Sequence, residues 1–170
     1  KLATHIFRGN KMTDETAQKI RMTGPGEGNF YPAVANEVFF MVRAEDSGGN
    51  FELIEEVCKP GFVSRLHRHD TRSQTFYIVE GSAEFIVDGK SFNAKAGSSI
   101  HVPPGVPHKI ISEEGMKMLM IYCRAGMEKL FAAVHALTPE EAKDPDLTAA
   151  LTRKHDTIMM DDASQGTVLG

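Results

Sequence analysis

Cysteine is scarce in this chain: Cys58 and Cys123 are the only two in 170 residues, far apart and without C-x-x-C spacing. That argues for two free thiols rather than a disulfide, and for the cytosol as the expected compartment. Basic runs are missing as well, and 19 Lys and Arg against 23 Asp and Glu leave a net charge of −4. Nucleic acid and anionic membranes both require clustered Lys and Arg, so neither is expected as a partner. No apolar stretch approaches the roughly 20 residues of a membrane-spanning helix, and nothing near the N-terminus reads as a secretory apolar core. With 41% hydrophobic and 25% charged residues, the chain reads as one globular domain able to bury a core.

The text then divides into three parts. Residues 1–35 form a polar, loop-like arm with the breaker cluster Gly24-Pro25-Gly26-Glu27-Gly28. Residues 36–125 are short apolar runs between turn residues, which predicts an all-β sandwich or barrel. Strands are expected at Val38–Arg43, Phe51–Cys58, Thr75–Glu80, Glu84–Val87, Lys90–Ala94, Ser99–Val102, Lys109–Ser112 and Met116–Cys123. Asp88-Gly89 is a two-residue hairpin signal, since both positions tolerate positive φ. Residues 126–170 switch to helical spacing. Leu130, Phe131, Val134 and Leu137 share one stripe, and Thr138-Pro139-Glu140-Glu141 reads as an N-cap with a capping-box glutamate. A further short helix is expected from Asp144-Pro145 through Leu151. These helices are expected to cover an outer sheet face, and Asp161–Gly170 to fray.

Two blocks carry chemistry. The first is Gly61-x5-His67-x-His69-x4-Gln74-x6-Gly81; the second is Gly97-x5-Pro103-x-Gly105-x2-His108. Residues two apart on a strand point to one face, so His67 and His69 can aim at one point and His108 can complete a facial metal site. The spacing closely resembles the paired motifs of the cupin superfamily, G-x5-H-x-H-x3-4-E-x6-G and G-x5-P-x-G-x2-H-x3-N, over roughly residues 38–125. The resemblance implies a cupin jelly-roll β-barrel, here with an N-terminal arm and short C-terminal helices like those of small quercetinase-like cupins. It also implies one divalent transition metal ion: Fe, Mn or Zn is favoured for three imidazoles, with Ni or Cu as further candidates. Some cupins have lost their ligands and use the barrel as a plain pocket or scaffold.

Two positions depart from the family pattern. Gln74 stands where it has glutamate, and Ser112 where it has asparagine. Glutamine can coordinate weakly through its amide oxygen or bond to a bound water, but cannot take up a proton near neutral pH. The metal ligands read from the sequence are therefore His67, His69, His108 and Gln74, with Gln74 and His101 as candidate catalytic groups. His101 is also readable as a hydrogen-bonded structural histidine, depending on which face of Ser99–Val102 lies inside. Arg65 shares the face of His67 and either binds a substrate carboxylate or sits in water at the rim. Glu55 and Glu56 read as strand-edge solvation. Phe76, Ile78, Phe85, Met118, Met120 and Tyr122 read as core more readily than as a ligand pocket.

The expected activity is that of a metal-dependent enzyme on a small oxygenated or aromatic molecule. Resemblance to quercetinase-like cupins suggests an oxidoreductase of the dioxygenase kind. Gln74 suggests instead a non-oxidative cyclase, isomerase or lyase in which the ion acts as a Lewis acid. A non-catalytic ligand-binding barrel stands third. Small cupins commonly pair through barrel edges and arms, so a homodimer is expected.

Overall fold

A computed structural model describes residues 20–160. Most of the expected arm, and the expected frayed end at Asp161–Gly170, lie outside the described residues. The described residues form eleven strands: β1 (Asn29–Pro32), β2 (Asn36–Val42), β3 (Phe51–Cys58), β4 (Phe62–Val63), β5 (His67–Arg68), β6 (Ser73–Val87), β7 (Lys90–Lys95), β8 (Ser99–Val102), β9 (His108–Ser112), β10 (Met116–Cys123) and β11 (Ile158–Met159). Two helices, α1 (Glu128–His135) and α2 (Pro145–Lys154), flank a single 3-10 turn at Glu141–Lys143.

The strands form an antiparallel jelly-roll barrel. One sheet runs β1-β2-β3-β10-β6, with β8 also on β6. The other joins the far half of β6 to β7 and β9, then β9 to β4 and β5, and β5 to β11. Thus β6 belongs to both sheets and turns the corner of the barrel at Gly81. There φ is +77°, and a Cβ would stand 2.5 Å from the Gly115 carbonyl oxygen, so only glycine fits. The sequence reads this strand as two because Gly81 interrupts the apolar pattern, although the ladder continues. The hairpin at Asp88-Gly89 has φ of 50° and 72°, as its composition requires.

Alternation places the core. Phe76 and Ile78 face inward on β6 while Tyr77 and Val79 are exposed; Met116, Met118, Met120 and Tyr122 line the inner face of β10. Together with Phe40, Ile54 and Phe85 they are nearly inaccessible to water. Each such side chain contributes on the order of 1.5–3 kcal/mol by its burial.

Two expectations are corrected by the structure. Within the stretch read as loop, β1 pairs with β2, and Phe30 stacks on Phe39 at 4.8 Å. The helices do not cover an outer face. Instead α1 turns its stripe toward the barrel interior, where Phe131 meets Phe40 edge-on at 5.3 Å and Tyr31 at 6.1 Å. The buried Glu52 carboxylate accepts the backbone N–H of Met127 at 2.7 Å, fixing the start of α1. The Thr138–Glu141 capping box forms, with reciprocal bonds of 2.8 and 3.2 Å, but yields only the 3-10 turn. Pro145 explains the stop: it holds Asp144 extended, and Asp144 then caps α2 through Asp146 N and Leu147 N.

Candidate metal centre

The first histidine block is barely a strand. β5 is two residues long, and His69 lies just beyond it, yet both of its histidines enter the barrel. His67 sits directly opposite His108 in the β5–β9 pair. Ring centroids are 4.3 Å apart for His67–His108, 5.1 Å for His67–His69 and 5.5 Å for His69–His108. One nitrogen from each ring lies within 4.8 Å of the others. Gly105 supports the turn before His108 with φ of +81°, and its N–H donates to the His69 carbonyl at 2.7 Å, tying the two blocks together.

Each ring is oriented by a backbone carbonyl at Nδ1. The acceptors are Arg65 at 2.8 Å for His67, Asp156 at 2.7 Å for His69 and Val106 at 3.1 Å for His108. Burial pushes all three imidazoles below their ordinary pKa: His67 well below, helped by its two histidine neighbours, His69 lowered, and His108 down to about 4. They are therefore neutral at neutral pH. A neutral imidazole has one N–H; with that hydrogen spent on the carbonyl, each Nε2 presents a lone pair.

Gln74 makes the charge requirement explicit. Its amide nitrogen donates to the Tyr122 hydroxyl at 2.6 Å and lies 3.3 Å from the Met120 sulfur. Its carbonyl oxygen, also an acceptor, lies 2.9 Å from His108 Nε2. His69 Nε2 is buried and has no hydrogen-bond partner among the described residues. Acceptors thus confront one another with no hydrogen between them, which is costly unless a cation lies there. A separation of 2.9 Å is also close to what two ligands at right angles adopt around an octahedral ion with bonds of about 2.1 Å. The residues present fit a divalent transition ion held by three imidazoles and the Gln74 oxygen.

The centre opens into a cavity of ≈ 140 Å³. Phe76, Met120 and Tyr122 form part of its wall, so the stripe read as core is shared between core and cavity; Leu130 and Phe131 of α1 close it. Arg65 reaches the cavity from an exposed position at the rim. His101 is not brought to the centre: it is exposed on the outer face and bonds to Thr75 at 2.8 Å. Ser112, at the other departing position, is buried and donates to the Ser82 carbonyl at 2.7 Å.

Glu56 is the residue that sequence reasoning missed. Glu55 faces out and pairs with Lys117 at 3.0 Å, but Glu56 points inward beside Glu52, Ile54 and Cys58 and lines the cavity. It accepts a hydrogen bond from Asn36 Nδ2. Burial raises its carboxyl pKa to about 7, against the lowering effect of Asn36 and Cys58. The alternation of β3 carried this signal, since Glu56 is in phase with Ile54. Both thiols are free, Cys58 buried and Cys123 exposed.

Comparison with known proteins agrees with this geometry. Residues 54–122 match the Cupin_2 family model, the cupin domain. An uncharacterized protein of Methanocaldococcus jannaschii is 32% identical over 71 residues, covering 42% of this chain and 57% of that protein. The match thus spans little more than half the length of that relative. Among solved structures, an RmlC-like cupin from Shewanella frigidimarina superposes with a TM-score of 0.57 at 20% identity, over 65% of this chain and 96% of the other. The Streptomyces nucleoside dehydratase Pac13 gives 0.55 at 16% identity, over 65% and 88%. At these identities the structural likenesses speak for the fold alone. Barrel topology, both histidine blocks and the family match coincide, and residues 54–122 of this barrel form a cupin domain.

Proposed function

We propose that this cupin is a metal-dependent enzyme acting on a small, oxygen-bearing organic molecule held in the barrel cavity. The observation that carries the reading is the set of inward lone pairs on His67, His69, His108 and Gln74, of which His69 Nε2 is buried and unpartnered. Fe, Mn or Zn suits these ligands, with Ni or Cu as alternatives. A divalent ion held there supplies Lewis acidity toward a substrate oxygen and, if redox-active, a route for electrons to O2.

The residues divide the remaining work. The apolar wall admits a ring and excludes water, and a dry cavity of about 150 Å³ accommodates benzene. A volume of ≈ 140 Å³ therefore favours a one-ring phenol or a short enol over a three-ring flavonol. Glu56, half-protonated near neutrality, takes up the proton that an acidic oxygen or an activated C–H gives up, while Asn36 holds its carboxylate in place. Motif resemblance favours dioxygenase chemistry within this class. A second reading, a non-oxidative isomerase, cyclase or lyase, is favoured by Glu56 itself, since one proton-shuttling carboxyl beside a Lewis acid suffices for it.

The test is reconstitution of the metal-free protein with Fe(II), Mn(II) or Zn(II) separately, followed by incubation with single-ring phenols, catechols and 1,3-diketones with and without O2. Stoichiometric metal uptake and turnover that both disappear in His69→Ala are expected. Turnover strictly dependent on O2 identifies the dioxygenase, and anaerobic turnover with Zn(II) identifies the second reading. Failure of the wild-type protein to take up any of these ions overturns the proposal.

A further inference from the structure

Two of the three imidazoles are anchored locally: His67 and His108 each use the carbonyl two residues upstream, Arg65 and Val106. His69 does not. Its Nδ1 is held at 2.7 Å by the carbonyl of Asp156, 87 residues away in the C-terminal tail, with the Thr157 hydroxyl 3.5 Å from the same nitrogen.

Asp156 is itself fastened to the loop that follows His69. Its carboxylate accepts the N–H of Asp70 at 2.9 Å, the N–H of Thr71 at 3.1 Å and the Thr71 hydroxyl at 2.8 Å. Its backbone has φ of +63°, a left-handed conformation unusual for a residue with a Cβ. On either side the tail keeps to the same segment. Arg72 Nη1 donates to the His155 carbonyl at 2.6 Å, β11 pairs Met159 with His67, and Met160 N donates to Leu66 O at 3.0 Å. Residues 155–160 therefore clasp residues 66–72 around both ligands of the first block. Thr157 and Met159 of the same segment form part of the cavity wall.

We infer that the tail segment His155–Met160 is a component of the metal centre, with Asp156 as a positioning residue acting through His69, so that metal binding and docking of the tail are thermodynamically coupled. The inference rests on the metal centre proposed above. Without the tail, His69 loses the carbonyl that sets its tautomer and aim, and the site loses one of its ligands. By linkage, an ion that needs the docked tail must tighten the tail by the same factor. Filling of the site thus tightens the part of the cavity wall that the tail supplies.

The test pairs zinc titration against a competing chelator with amide hydrogen exchange, using the whole chain. Zinc affinity is expected to fall about 10–100-fold in Asp156→Ala, the range for loss of a group that orients a metal ligand. It is expected to stay close to wild type in Asp156→Asn, which keeps one side-chain acceptor for Asp70 and Thr71. In the wild type, zinc should slow exchange in peptides covering residues 155–160. That measurement needs no variant and stands even if Asp156→Ala fails to fold. A purely structural tail would lower the melting temperature of Asp156→Ala and leave its zinc affinity unchanged; that result, or exchange indifferent to zinc, overturns the inference. His67→Ala separates the two claims. If it abolishes uptake while Asp156→Ala does not alter it, the metal centre stands and the coupling falls; if the wild type takes up no zinc, both fall.

Discussion

Replacing Glu56 by glutamine should stabilise the protein above neutral pH while removing the group proposed for proton transfer in its cavity. Glutamine has the shape of the carboxyl and still accepts from Asn36, so the substitution removes only the capacity to ionise. The carboxyl pKa is about 7 in the folded protein against 4.5 for an unperturbed carboxyl, because burial penalises the charge. Between those values the folded state holds a proton that the unfolded state has released. The stability Glu56 contributes is therefore complete below pH 4.5 and is lost as pH rises through 7. A difference of about 2.5 units at 1.36 kcal/mol each amounts to about 3 kcal/mol. For a chain of this length, that shifts the melting temperature by roughly 6–12 °C.

The assay is thermal or urea unfolding of chelator-treated protein from pH 4.5 to 8.5, with the variant and wild-type curves subtracted. Subtraction matters because the histidines pull the other way. His108, lowered from 6.5 to about 4, contributes stability above 6.5 that is lost as pH falls toward 4. In the difference, the Glu56 effect should grow from near zero at pH 4.5 to its full value near pH 8. Parallel curves would show an ordinary solvated carboxylate, and the acid–base role assigned to Glu56 would fall with them.

Gln74→Glu should bind divalent ions about tenfold more tightly or better, about 1.4 kcal/mol, because it puts an anionic oxygen where the amide oxygen meets His108; chelator competition measures it, and unchanged affinity would place residue 74 outside the ligand set. In the native protein the exposed Cys123 should react with a thiol reagent, whereas Cys58, buried and with its thiol pKa raised by burial and by Glu56, should react only after unfolding; mass spectrometry of alkylated peptides distinguishes them. Light scattering should give the mass of a homodimer, and a monomeric mass at micromolar concentration would refute that expectation.

Much of the barrel was legible because its signals are local. Asp88-Gly89 demands positive φ at both positions, and Met116, Met118, Met120 and Tyr122 repeat with the strand period and are all buried. Strands of two residues, such as β4, β5 and β11, have no period to read. Glu56 was misjudged because β3 is apolar on both faces, with Leu53 and Val57 on one and Ile54 and Cys58 on the other, so alternation alone did not pick the inner one. The histidine triad was visible from spacing, but the clamp on His69 was not. A backbone carbonyl has no residue-type signature, and the tail supplying it lies 87 residues further along.

The charges inside the barrel argue for what the cavity holds. Glu52 is buried, but its carboxylate accepts the N–H groups of Met127 and Glu128 at the start of α1, which offset its charge. Glu56 is bonded to the neutral Asn36 and Cys58, which lower its pKa too little to offset the rise that burial causes. An ion held by three neutral imidazoles and an amide keeps its full double charge, with no anionic ligand to balance it. On the proposed reading, a substrate with an acidic oxygen would supply that balance, and Glu56 would take up its proton. No net charge is added to the cavity by such an exchange, so the desolvation cost of creating one inside the barrel is avoided. A carboxylate at position 74 would supply the balance permanently and weaken the preference for acidic ligands. On that proposal, glutamine at 74 and a protonatable glutamate at 56 belong to one arrangement, in which the substrate, not the protein, would bring the neutralising anion.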